Sequence, residues 1–96
     1  MPNEVSIVVQ NDRKRPHVIW IEPWGEDYTL LCGEQIKVSV ASLELDSGAC
    51  FHLVETEGNT QVYVEHSKYP RVLVNNSIAD CGHNRQAAID AGIYPD

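Results

Sequence analysis

Apolar and polar residues alternate with a period of two through most of this chain, the spacing that side chains take on a half-buried β-strand. Residues 5–9, Val-Ser-Ile-Val-Val, form a first run rich in β-branched residues. Residues 17–22 form a second, with Val18 and Trp20 pointing one way and Ile19 and Ile21 the other. Both faces are apolar, so this strand is predicted to be central. Pro23 ends it, because proline has no amide to give to the ladder. Trp24-Gly25 with Glu26-Asp27 supplies a turn, and residues 28–31 resume an extended run that stops at Gly33. In the next strand Gln35, Lys37 and Ser39 alternate with Ile36, Val38 and Val40, one face wet and the other in the core. Leu43 and Leu45 continue it irregularly, and Asp46-Ser47-Gly48 turns the chain.

A hairpin follows. Residues 50–56 and 61–66 flank Gly58-Asn59, and glycine at the first central position fits a type II′ turn. That loop sets Leu53 opposite Val64 and Phe51 opposite His66, with Phe51, Leu53, Val62 and Val64 on the core face. The other face then carries His52 across from Glu65 and Val54 across from Tyr63. Residues 71–75 are a short strand with Val72 and Val74 inward, closed by Asn75-Asn76-Ser77. Residues 84–91 have helical propensity, with Asn84 or His83 at the N-cap and Gly92 as the stop. Two turns of helix need docking, for which Ile78, Ile89, Ile93 and Tyr94 are candidates. Short strands separated by turns, with no βαβ alternation, predict an all-β fold. The expected architecture is an antiparallel meander forming a small sandwich or partly open barrel, with a short C-terminal helix or tail.

Ninety-six residues make a single domain, with its core at about residues 5–75 and residues 76–96 as a tail or short docked helix. The formal net charge of −7 is unevenly spread. Arg13, Lys14 and Arg15 sit together in a polar turn, and from Pro16 onward four basic residues face twelve acidic ones. Such a surface repels phosphate backbones, which argues against nucleic-acid binding and suits solubility or a basic protein partner. No stretch is apolar for long enough to cross a bilayer, and the first residues lack the pattern of a signal peptide, so a cytoplasmic location is expected. Three cysteines read as reduced thiols rather than a disulfide framework.

Three kinds of chemistry are conceivable. Cys50-Phe-His52 and Cys81-Gly-His83 each place a cysteine and a histidine two apart; on a strand Cys50 and His52 share a face, and His66, His17 or Cys32 would complete four metal ligands. The spacing matches no familiar zinc site, and no cofactor is expected. A nucleophilic cysteine needs a base beside it, and Cys81 with His83 is the best local pair. Cys32 and Cys50 sit in apolar runs and read as small core residues. The third possibility is a contact surface made of Trp24, Glu26, Asp27 and Tyr28, since loop aromatics with a polar rim make interaction hot spots. The competing reading is that Trp24 folds back to plug one end of the sandwich.

The run Glu22-Pro23-Trp24-Gly25-Glu26-Asp27-Tyr28-Thr29-Leu30, with Gly33-Glu34 after it, resembles a small uncharacterised bacterial all-β family with a Glu-Pro-Trp-Gly-Glu signature. The similarity covers roughly residues 18–75; Cys32 stands where that family has proline, and the tail after Ile78 lies outside it. The resemblance implies a β-rich fold and no activity. The leading expectation is therefore a non-enzymatic interaction or accessory module, immunity-like in character, whose acidic surface meets a basic partner. The alternative is a small-ligand or metal-binding β-domain using its cysteines and histidines.

Overall fold

The computed structural model describes residues 3–42, 51–65 and 69–94. They fold as β1 (Asn3–Gln10), β2 (His17–Glu22), β3 (Glu26–Leu30), β4 (Gln35–Ser42), β5 (Phe51–Glu55), β6 (Asn59–Val64), β7 (Arg71–Val74), β8 (Ser77–Ile78) and helix α1 (Arg85–Asp90). Two four-stranded sheets result, ordered β1-β4-β7-β8 and β3-β2-β6-β5. The small all-β fold with a short C-terminal helix agrees with the sequence pattern, and among the described residues the sheets do not close into a barrel. Between them lie Ile19, Ile21, Tyr28 and Leu30, with Val62 and Val64, against Ile36, Val38, Val40, Val72 and Val74. These are the inward positions of the alternating runs, and their burial is the main force holding the sheets together.

The connectivity is richer than a meander. β2 runs antiparallel to β3 but parallel to β6, with Ile19 opposite Thr60 and Ile21 opposite Val62. This parallel pair makes β2 a central strand, which is why both its faces are apolar. The hairpin register also differs from the expected one by two residues. Phe51 lies opposite Val64, Leu53 opposite Val62 and His52 opposite Tyr63, so Glu57-Gly58 rather than Gly58-Asn59 occupies the turn. A shift of two keeps every side chain on its face, so Val62 and Val64 remain buried. Leu53 is 46% exposed because β5 is the outermost strand of its sheet. Leu43, Leu45, the turn at 46–48, Cys50 and His66 lie outside the described residues.

Two local devices shape the last quarter. Asn75 and Asn76 both adopt positive φ (50° and 68°), the requirement of a type I′ turn, and so fold β8 back on β7. At the end of α1 the amide of Gly92 (φ 73°) bonds the Ile89 carbonyl and that of Ile93 the Ala88 carbonyl, a glycine-terminated Schellman motif. Asn84 precedes the helix but makes no side-chain cap. Ala88 is fully buried, whereas Ile78 and Ile89 point to solvent instead of docking the tail.

His17 begins β2 in the interior, its Nε2 2.8 Å from Thr60 Oγ1. Burial, helped by the Arg13 charge, pushes its pKa below the usual 6.5. The unfolded chain takes up that proton near pH 6.5 while the folded chain resists it. Stability is therefore full above pH 6.5 and declines as the pH falls below it, by at most about 1.4 kcal/mol per pH unit. Urea denaturation at successive pH values is expected to show this slope in the native protein and a flat profile in His17→Gln.

Candidate functional site

Side chains opposite one another in a ladder share a face, so the outer surface of the second sheet can be read row by row. One row runs Asp27, Trp20, Gln61, Val54; the next runs Glu22, Tyr63, His52. The C-terminal segment lies over the β3 and β2 end of this face. The Gly82 amide donates to the Asp27 carbonyl (2.7 Å) and the Thr29 amide to the His83 carbonyl (2.8 Å), so residues 82–83 seal the outer edge of β3. Tyr94 meets Trp20 edge to face with ring centres 5.9 Å apart, and Ile93 lies beside Gly58.

Asp27 fastens this segment. Its carboxylate, 2% exposed, accepts from Arg85 Nε (2.9 Å) and Nη2 (2.6 Å), from the Tyr94 hydroxyl and from the Cys81 thiol (3.5 Å). The Arg85 hydrogen bonds hold its pKa below the usual carboxylate range, against the opposing effect of burial. Of the four residues expected to form a contact surface, Asp27 thus faces the tail and is sequestered. Strand alternation sends Glu26 and Tyr28 to the opposite face. Tyr28 is buried; its hydroxyl lies 2.7 Å from that of Tyr69, which donates to Glu26. Trp24 is half-buried, packs against the core and meets Tyr69 edge-on at 5.1 Å. Trp24, Glu26 and Tyr28 thus gather round Tyr69, while Asp27 alone faces the other side of the sheet.

Among the described residues nothing covers the β6 and β5 half of the outer face. A cleft of about 590 Å³ is lined by Pro23, His52, Val54, Tyr63, Val64 and Glu65. His52 stands edge-on to Tyr63 with ring centres 6.2 Å apart. Along its border β5 presents Leu53 and Val54 to solvent, and among the described residues no strand pairs with its outer edge. The arrangement offers an aromatic ring, an imidazole, an apolar floor and the Glu65 carboxylate: groups that receive a cationic side chain on an aliphatic stem. The sequence pattern sets His52, Val54, Tyr63 and Glu65 on one face of the hairpin and gives a role only to His52, as a candidate metal ligand.

The proposed metal and nucleophile groupings do not assemble among the described residues, where no three of His, Cys, Asp and Glu come within reach of one ion. Cys81 contacts Asp27 and Arg85 rather than His83, His17 is occupied with Thr60, and Cys32 is exposed in the β3–β4 turn rather than in the core. Two of the three basic residues near the start make long-range contacts: Arg13 pairs with Glu55, and Arg15 donates to the Ala91 carbonyl at 3.0 Å. Among the described residues no helix is long and apolar enough to cross a membrane. Comparison with known protein families, with curated proteins and with solved structures finds no match.

Proposed function

We propose that this protein is a non-enzymatic interaction module that takes a basic, extended segment of a partner protein along β5 and the cleft beside it. One observation carries the reading: among the described residues no strand pairs with the outer edge of β5, where Leu53 (46%) and Val54 (38%) are exposed on opposite faces and Val54 lines an aromatic, acid-lined cleft. Proteins usually blunt such edges with charge, proline or a covering loop, and an edge left open is where an extended peptide adds as a further strand. The sign of the partner follows from the charge. The protein carries −7 overall, Glu65 lines the cleft, and Glu22 shares the outer row with Tyr63. A lysine or arginine on every second residue of the incoming strand would meet these groups while its backbone pairs with β5.

The test uses synthetic peptides in which lysine or arginine alternates with valine or threonine, titrated calorimetrically at low and high salt. Binding to the native protein is expected and should weaken as salt rises. Val54→Lys should weaken it at least about tenfold through lost apolar contact and like-charge repulsion, while changing stability by less than about 0.5 kcal/mol. If no peptide binds, or Val54→Lys binds as the native protein does, the reading fails.

A further inference from the structure

The two sheets have four outer strands, and they are treated unequally. The edge of β3 is sealed by residues 82–83, and β8 is only two residues long. β5 belongs to the cleft. That leaves β1, eight residues paired with β4 in unbroken register from Asn3 opposite Ser42 to Gln10 opposite Gln35. It contains no proline, and the continuous register contains no bulge to twist it away. Among the described residues nothing pairs with its outer side. We infer that β1 is the seam of a two-fold homodimer, in which β1 of a second copy pairs antiparallel with it and joins two four-stranded sheets into one of eight.

Self-pairing fits this strand for two reasons. The first is charge. Each copy carries −7, so two copies meet with least repulsion along a neutral stretch. β1 has a single ionisable side chain, Glu4, and that carboxylate is already held by Arg71 at 2.8 and 2.9 Å. A basic peptide, the partner proposed for β5, finds little to attract it here.

The second reason is register. Residues opposite one another in an antiparallel pair share a face, so a two-fold axis through Ile7 keeps inward residues with inward residues. Ile7 then meets its own copy, Val5 meets Val9, Ser6 meets Val8, and Glu4 meets Gln10. Val5, Ile7 and Val9 are the side chains of β1 that pack on the core, so the dimer extends that apolar row. Val8, 51% exposed in one copy, gains a cross-strand neighbour on the outer face. No like charges are set opposite each other. The inference is independent of the β5 reading, because it concerns the other sheet and the opposite electrostatic condition.

Light scattering behind size exclusion, run over a range of protein concentrations, tests it. The native protein should be dimeric at the upper end. Raising ionic strength from about 0.05 M to about 0.5 M should tighten the dimer roughly five- to tenfold by screening the repulsion between two anions, the reverse of the salt effect on peptide binding. Val8→Glu should give a monomer at every concentration. Its carboxylate lies opposite Lys37 within its own sheet, so the fold accommodates it. Val8→Lys, with the other sign of charge at the same seam, should also be monomeric, and Val54→Lys should leave the dimer intact. A native protein that stays monomeric, a dimer that survives both Val8 substitutions, one that Val54→Lys dissociates, or one that weakens with salt overturns the inference.

Discussion

Asp27→Ala is expected to lower stability by about 2–3 kcal/mol and to release the C-terminal segment from β3. The carboxylate is buried, yet it holds both ends of that segment, Arg85 at the start of α1 and Tyr94 beyond its end, with the Cys81 thiol as a further donor. Complete removal of one partner of a fully buried pair would cost more, about 3–5 kcal/mol, but the Arg85 side chain is 49% exposed and can return to water. For a domain of this size the loss corresponds to roughly 10–20 °C in Tm. Amide exchange at Thr29 and Gly82, whose hydrogen bonds seal the edge of β3, should accelerate well before global unfolding. The pH dependence has a definite sign. The folded pKa of Asp27 lies below its ordinary 3.8, so its contribution is complete above about pH 5 and is lost as the pH falls through 3.8 toward the folded value. Asp27→Asn should flatten that acid limb and leave the His17 slope near pH 6.5 in place. Unchanged stability, with unchanged exchange at Thr29 and Gly82, would show that the carboxylate does not fasten the segment.

How far the sequence reveals this architecture depends on the range of the interaction. Where burial repeats every two residues, as at Ile36, Val38 and Val40, the strand and its inward face are legible directly. The hairpin was readable as to face but not register, because a shift of two residues changes no side chain's environment by sign, only the identity of the turn pair. The parallel joint between β2 and β6 leaves no local trace, since its partners are about forty residues apart. The one available signal was that β2 is apolar on both faces, a property of strands covered on both sides. Asp27 stands next to Glu26 in a predicted turn and reads as part of an exposed contact surface. Its burial depends on Arg85 and Tyr94, 58 and 67 residues further on, which no local pattern announces. Cys32 misled in the opposite direction: leucines precede it, but Gly33 at φ 86° turns the chain there and leaves the thiol outside. The cleft arises from what the C-terminal segment leaves uncovered, so it becomes visible only once that segment is placed.

Trp24→Ala is expected to cost about 2–3 kcal/mol of stability while leaving peptide binding at β5 unchanged. The turn at residues 23–25 positions the indole, with Gly25 at φ 69° and its amide bonded to the Ile21 carbonyl at 2.9 Å. From there the ring packs against the core and stands edge-on to Tyr69 at 81°. Tyr69 is in turn joined to Tyr28 and Glu26, so the indole buttresses a hydrogen-bonded group that closes the end of the sandwich. A fully buried tryptophan truncated to alanine costs about 3–5 kcal/mol, and the lower figure follows from the partial exposure of this one. Trp24→Phe, which keeps an aromatic edge against Tyr69, should recover about half of the loss. The profile is the inverse of that expected for Val54→Lys, which should impair binding and spare stability. Urea denaturation and peptide titration of the same two proteins therefore separate the end plug from the docking edge. A Trp24→Ala protein that keeps native stability and loses peptide affinity would move the contact surface back to the Trp24 turn, because a side chain that holds the fold together cannot be removed without registering in the unfolding curve.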